Sequence, residues 1–342
     1  MKHTLTLLAL YCCIAACGDI APELPANTTN YDVVINGGRV IDPESGLDAI
    51  RNVGVVDGRV AAISTEPMQG LTTIDASGLV VAPGFINVHS HSWTPLGQEF
   101  ELRDGVTTAL ELEAGAYPVA EFGTYEPIAI AGKARINFGA SVGHAWARSA
   151  VLEGDDSLSG ADHLRASAIL EGGSRGLERP AFQEPLSPPQ LEALRRHLQT
   201  GLDEGGLGIG MLLDYMSDVV DDAEMQAVFE LAAHRKAPII VHIRRGIAGD
   251  PTGLKEIIRY AKASGAPVHV CHVQANAMSN IDEFLRLIRE ARNQGVTITT
   301  ESFPYNGAST SISAAVFDRD WQTIFGITYE DVEWAATGER FN

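Results

Sequence analysis

The sequence predicts an α/β protein: a TIM-like (β/α)8 barrel with its eighth strand missing from the 342 residues, preceded by a small β-sandwich portion. Three observations predict it. After Pro83-Gly84, short apolar runs alternate with amphipathic stretches, the rhythm of a parallel sheet wrapped by helices. Seven such runs can be counted. The histidines and carboxylates that interrupt them fall at their C-terminal ends, where such barrels carry their chemistry. An open doubly wound sheet is the alternative, but no glycine-rich phosphate loop follows the first run.

The chain opens with Lys2 and His3 ahead of the apolar run Leu5–Ala16, too short to span a bilayer as a mature helix. The run ends Ile14-Ala15-Ala16-Cys17-Gly18. Residues 1–17 resemble a bacterial lipoprotein signal, in which Cys17 is lipidated and becomes the mature N-terminus. An ordinary secretory peptide is the alternative. The expectation is an exported protein on the periplasmic side of a bacterial envelope, held to the membrane only through lipid on Cys17. Residues 18–30 read as a flexible polar tether. Of the four cysteines only Cys271 lies outside the signal, so no internal disulfide is expected. A formal charge of −19 argues against a nucleic-acid partner, because phosphate backbones are held by clustered Lys and Arg.

From residue 31 to 82, β-rich runs alternate with turns, as in YDVVINGGRVID and RNVGVVDGRVAAIS. Asn36-Gly37-Gly38 and Asp57-Gly58 predict hairpins between β-branched residues. This is the β-sandwich portion, and it carries no catalytic constellation of its own. Residues 83–342 are the incomplete barrel. Its strands are predicted at 85–91, 106–114, 135–144, 207–212, 238–243, 267–273 and 296–305. Ser187-Pro188-Pro189-Gln190 is a capping box with proline in the first turn, and Asp221–Glu224 and Asn280–Glu283 repeat the signature. Gly265 and Gly295 supply helix stops.

Metal-ligand chemistry is written at the strand ends. His89 and His91 are two apart, so in an extended chain both imidazoles face one side. His242 closes PIIVH and His272 closes PVHVCH. Any one of these is commonly a hydrogen-bonded core histidine. Four at the ends of three strands instead suit an ion such as zinc, which prefers imidazole. Glu111 and Glu113 share one face of ALELEA, and a carboxylate pointing into a barrel needs a cation or a donor. Glu113, nearer the strand end, is the expected ligand, bridging if two ions bind. Glu111 is the fallback, and one of the two can instead pair with Arg135.

In this order, GFINVHSHS, DGVTTALELEAG, SVGHAWAR, VHIRRG, HVCHVQA and SFPYNGAST resemble the amidohydrolase superfamily, and within it the N-acyl-D-amino-acid deacylases, or D-aminoacylases. The resemblance runs from about Tyr31 to the last residue. It implies a metal-dependent hydrolase barrel with one or two zinc ions, and a β-sandwich built from both chain ends. By motif, His89 and His91 match the first-strand ligands, and His242 and His272 those of the fifth and sixth strands. The second-strand cysteine ligand of D-aminoacylases is absent, since Ala114 precedes Gly115, and Glu113 beside it is the natural substitute. Asn87 replaces the usual aspartate of the first-strand motif. The catalytic aspartate of the superfamily follows the eighth strand, beyond Asn342. ATGERFN accordingly reads as the interior of a longer protein, a naturally short homologue being the alternative. Asp318, Asp320 and Asp331 follow no strand-like run and are not nominated as its replacement.

The expected reaction is hydrolysis of a linear amide by metal-activated hydroxide, most simply deacylation of an N-acyl-D-amino acid. Arg244, two residues past His242, is expected to hold a substrate carboxylate. His144 is expected to donate to the substrate, a structural role being the alternative, and Tyr305 matches a substrate-contacting tyrosine of the resembled deacylases, a rim aromatic being its alternative. Gln274 stands where D-aminoacylases tend to have lysine. Two other readings remain. A cyclic amidase of the dihydroorotase or hydantoinase kind usually carries a carboxylated bridging lysine, and Lys133, the nearest candidate, precedes its strand. A metal-binding lipoprotein without catalysis is the third.

Overall fold

The structure, a computed structural model, describes residues 30–91, 95–122, 134–154, 179–305, 307–310, 312 and 315–341. The signal, all but the last residue of the tether, and Lys133 lie outside them. Two compact units divide between Pro83 and Gly84. Among the described residues no helix is long and apolar enough to cross a membrane.

The first unit is one mixed sheet of five strands: β1 (Tyr31–Asp42), β2 (Leu47–Val56), β3 (Arg59–Ser64), β4 (Gly70–Asp75) and β5 (Val80–Val81). Its order is β3-β2-β1-β4, with β5 also pairing β1. Asp57 and Gly58 form the predicted two-residue turn, both left-handed at φ 49° and 71°, which matches the twist of the strands they join. Asn36-Gly37-Gly38 does not turn the chain. It is a bulge inside the continuous strand β1, where the register against β2 slips between Ile35 and Gly38. Gly37 takes φ +75° there and its N–H donates to Asn52 Oδ1 at 2.8 Å. The turn signal is the same in both cases; long-range pairing on both sides of β1 decides between bulge and hairpin.

The second unit holds seven strands in one parallel sheet: β6 (Phe85–Asn87), β7 (Val106–Ala116), β8 (Asn137–Gly143), β9 (Ile209–Leu212), β10 (Ile239–His242), β11 (Val268–Val270) and β12 (Ile298–Thr300). They neighbour one another strictly in chain order. A doubly wound sheet would reverse that order at a switch point, so the barrel alternative holds. The sheet also curls, because His89, just past the first strand, reaches Glu301, just past the seventh, at 2.9 Å.

Helices cover the outside. The longer ones are α1 (Pro95–Arg103), α2 (His144–Glu153), α3 (Pro188–Asp203), α4 (Asp222–Arg235), α5 (Thr252–Ser264) and α6 (Ile281–Asn293). Leu194 and Leu198 of α3, Phe229 of α4, Ile257 of α5 and Phe284 of α6 pack with Ile209, Ile239 and Val268 into one core. Burying a side chain of this size stabilises by about 1.5–3 kcal/mol. The capping box at Ser187 and Gln190 forms, and Asp221 caps α4 by accepting from Glu224 N–H at 2.9 Å. Asn280 does not cap α6; its Nδ2 donates to the Gly249 carbonyl at 3.0 Å instead.

Candidate metal centre

The carboxylate of Glu113 is the hub. It lies on the inner face of β7, 5% exposed, and the next turn of backbone keeps it there. Gly115 takes φ +66°, and a Cβ on it would lie 2.5 Å from the Gly143 nitrogen, so only glycine allows β7 to close against β8. Glu113 Oε2 is 3.2 Å from His89 Nε2 and 3.5 Å from His91 Nε2, and those two nitrogens are 3.2 Å apart. Its other oxygen, Oε1, is 2.9 Å from His242 Nδ1 and 2.8 Å from His272 Nε2, themselves 3.1 Å apart. Each oxygen thus completes a triangle with a different histidine pair.

These triangles fit a metal. A tetrahedral ion with bonds of 2.0–2.1 Å spaces its ligand atoms about 3.3–3.4 Å apart. The first triangle has that size, and the second is a few tenths of an ångström tighter. Electrostatics agree. Burial opposes ionisation of Glu113, but His242, His272 and His89 outweigh it and hold the carboxyl well below the usual range. Burial also opposes charge on His89, yet hydrogen bonds to Glu113 and Glu301 carry it up to about 9. Burial wins at His242, which is held below its ordinary value despite Glu113. A buried carboxylate ringed by imidazoles has no fixed cation of its own, and a divalent ion supplies one.

Three of the ring nitrogens turned away from the triangles are partnered too. His91 Nδ1 meets Glu111 at 2.6 Å and His89 Nδ1 meets Glu301 at 2.9 Å. His272 Nδ1 is 3.3 Å from Asn276 Nδ2. His242 Nε2 is buried without a hydrogen-bond partner, 4.0 Å from Asp214 Oδ2. Metal-ligating histidines commonly carry such outer partners, which fix tautomer and ring orientation. Glu111 is therefore a holder of His91, with Ala114 N–H as its second donor at 3.0 Å, and it does not pair with Arg135. Asn87 takes up a similar duty: its Oδ1 accepts from His89 N–H at 3.0 Å and its Nδ2 donates to Glu101. His272 itself sits in the left-handed region at φ 33°, a conformation costing about 1–3 kcal/mol that clusters at functional sites. Its N–H is tied to Glu301 Oε1.

His89 and His91 are not aligned by strand alternation as expected, since β6 ends at Asn87 and both histidines follow it. Their rings converge through Glu111, Glu113 and Glu301. Of the expected substrate residues, two are elsewhere engaged. Arg244 is bound to Glu256 on α5 at 2.5 Å and to the Val220 carbonyl; the strand stops at His242, so the alternation that would aim Arg244 inward is lost. His144 is fully buried at the start of α2, where Nε2 bonds Glu224 at 2.7 Å. Tyr305 is 68% exposed beside Phe303. Gln274 donates to the Phe303 carbonyl. Asp320 and Asp331 cap local turns, and Asp318 is exposed.

Glu301, Asp214, Asn276 and Arg245 went unread in the sequence. Asp214 is 3% exposed and accepts from Arg245 N–H and Arg319 Nη2, each at 2.9 Å. The Nε atoms of Arg245 and Arg319 are buried without a hydrogen-bond partner. Tyr215 packs on His242 with ring centroids 5.0 Å apart. A charged residue inside an apolar strand was the one available signal, and it served for Glu113; Glu301 in TTESF carried it as well.

No family model matches the chain. It is 28% identical over 318 residues to an N-acyl-D-glutamate deacylase of Alcaligenes xylosoxydans xylosoxydans, covering 82% of this chain and 58% of the relative. It is 24% identical over 315 residues to a dihydroorotase of Solibacter usitatus, covering 85% and 64%. Among solved structures, the N-acyl-D-glutamate deacylase of Bordetella bronchiseptica, complexed with zinc and a phosphonate mimic of the tetrahedral intermediate, superposes with TM-score 0.64 and 26% identity over 82% of this chain and 60% of that one. A D-aminoacylase shares the fold at TM-score 0.57 and 20% identity, over 80% of this chain and 59% of that one. The chain thus spans about three fifths of the length of the relatives it matches. In sequence the chain is similar to an N-acyl-D-glutamate deacylase and to dihydroorotases, and it shares the fold of the solved deacylases.

Proposed function

We propose that this protein hydrolyses a linear amide C–N bond, deacylating an N-acyl-D-amino acid at a two-ion zinc centre held by His89, His91, Glu113, His242 and His272. The observation that carries the reading is Glu113 presenting one oxygen to each histidine pair. Divalent ions there supply Lewis acidity and an activated water. The chain's own groups do the rest. Glu111, Glu301 and Asn276 hold the His91, His89 and His272 imidazoles in register. Tyr215 screens His242 from water on one side. Asp214 accepts from the Arg245 backbone N–H and from Arg319 Nη2, while the buried Nε–H groups of both arginines have no partner, which suits them to a substrate carboxylate, the duty first expected of Arg244. The residue that takes the water's proton is not assigned among the described residues.

A cyclic amidase is the second reading, supported by the dihydroorotase relatives. A panel of N-acyl-D-amino acids, dihydroorotate and hydantoins, tested on the product of the complete gene and on His242→Ala with metal content measured in parallel, separates the cases. Cleavage of linear substrates alone sustains the deacylase. Cleavage of cyclic ones replaces it, and tight metal binding without turnover leaves a metal-binding protein. We also propose that Cys17 is the lipid-bearing N-terminus; metabolic labelling with palmitate that survives Cys17→Ser would refute it.

A further inference from the structure

We propose that His269 is a positioning residue of the metal centre: from inside the barrel it fixes the carboxylate of Glu301, and through that carboxylate it sets the His89 ring and the His272 backbone. The inference rests on the metal-centre reading above and adds to it a residue that touches no ion. Val268, Val270 and Ile298 pack into the core beneath the helices. The alternate residues, His269 of β11 and Thr299 of β12, therefore face the barrel interior, where the parallel register sets them side by side. The pairing runs on past both strands, since the Val273 N–H donates to the Glu301 carbonyl at 3.0 Å. Glu301 accordingly shares the inner face with Thr299, nearer the strand ends where the ligands lie.

The hydrogen bonds form a chain. His269 Nε2 is 2.5 Å from Glu301 Oε2, and its Nδ1 is 2.8 Å from Thr299 Oγ1. A carboxylate can only accept, so Nε2 carries the proton, and Nδ1 of the neutral ring accepts from the Thr299 hydroxyl. The other oxygen, Oε1, accepts from His89 Nδ1 at 2.9 Å and from the His272 N–H. One carboxylate serves a ligand of each triangle, and it holds His272 in its left-handed conformation at φ 33°. Take away the His269 donor and the carboxylate is free to turn about its last bond, which loosens both contacts. Glu301 is the outer partner of His89; His269 settles which of its oxygens faces the ligands.

The test compares, in the full chain, His269→Leu, which removes the donor, with His269→Gln, whose side-chain N–H stands in for Nε2–H. The readouts are zinc affinity by chelator competition and the visible spectrum of the cobalt-loaded protein. His269→Leu is expected to bind zinc roughly 10-fold more weakly and to shift the cobalt bands, and His269→Gln to restore both. In a Glu301→Ala background, His269→Leu should change neither, because the two residues act as one unit. A loss that glutamine does not rescue, a loss that persists without Glu301, or no change at all overturns the inference and leaves the five-residue centre standing. Should His269→Leu not fold, imidazole nitrogen NMR of the unsubstituted zinc-loaded protein decides: a proton on His269 Nε2 and on His89 Nδ1 sustains the chain, and a bare His269 Nε2 refutes it. Failure of the unsubstituted protein to bind zinc or cobalt sinks the centre as well.

Discussion

Two buried clusters of histidine and carboxylate lie in the barrel unit, and they resolve the same problem differently. In one, Glu224 is 2% exposed and receives His144 Nε2 at 2.7 Å and Arg148 Nη1 at 2.6 Å. Arg148, fully buried, spends its remaining donors on the carbonyls of Ala181 and Glu184. This cluster contains its own permanent cation and ties α2 to α4. In the other, Glu113 is just as enclosed, but its partners are four imidazoles backed by further acids. Among the described residues no guanidinium or ammonium touches it. The contrast separates a lock from a ligand set: a buried carboxylate with a fixed cation is structure, and one whose partners are imidazoles, neutral once they ligate, suits an ion.

The comparison can be broken experimentally. The largest effect is expected at Arg148→Met, which strands the Glu224 charge and should cost about 3–5 kcal/mol in denaturant unfolding, with metal bound per folded molecule unchanged. Next comes Glu113→Gln, which removes the shared ligand and should weaken zinc binding by about 100-fold or more, beyond what outer-shell changes produce. Calorimetry on the metal-free protein measures it, and near-normal affinity would erase the distinction between the clusters. Glu301→Gln should lower affinity by roughly 10-fold, the lower end for an outer partner, with unfolding of the metal-free protein little altered.

The pH dependence sharpens the same contrast. Burial opposes ionisation of Glu224, but His144 and Arg148 prevail and hold its carboxyl below the ordinary value. A depressed folded pKa means stability that is present above the unfolded value of about 4.3 and lost as pH falls through the folded one. Unfolding profiles should therefore steepen on the acid side, and Glu224→Gln should flatten that limb. At the candidate metal centre it is binding, rather than folding, that follows pH, and in the same direction. His89, raised to about 9, must surrender its proton to bind, so zinc affinity should climb with pH toward 9. The smallest effect is expected from Arg244→Ala, whose partly exposed pair with Glu256 should contribute no more than about 1 kcal/mol and leave metal binding intact.

Much of this was legible before any coordinates. Seven apolar runs with helical stretches between them dictated a parallel sheet, because period-2 and period-3.6 patterns are local properties of the chain. His89, His91, Glu113, His242 and His272 were nominated for the same reason: each interrupts or follows an apolar run. The Ser187 and Asp221 caps needed only three residues of context. Where local signals were ambiguous, reading from sequence failed. Asn36-Gly37 and Asp57-Gly58 look alike as dipeptides, and only pairing across the sheet made one a bulge and the other a turn. Arg244 was placed by extending strand alternation past His242, where the strand ends, and His144 by taking it as the last residue of a strand that ends at Gly143.

What tertiary structure alone decided is the set of partners. His89 and Glu301 are 212 positions apart, and His242 and Glu113 are 129 apart. Nothing in either neighbourhood of sequence specifies the other. Their meeting follows from strand order and from the curl that carries the seventh strand end toward the first, and with it Glu301 behind His89. The sequence by itself determined which residues can bind a metal, since that is a matter of donor chemistry and local pattern. Which donors share one ion, and which hold the others in place, is a matter of distance, and those distances exist only once the sheet has curled.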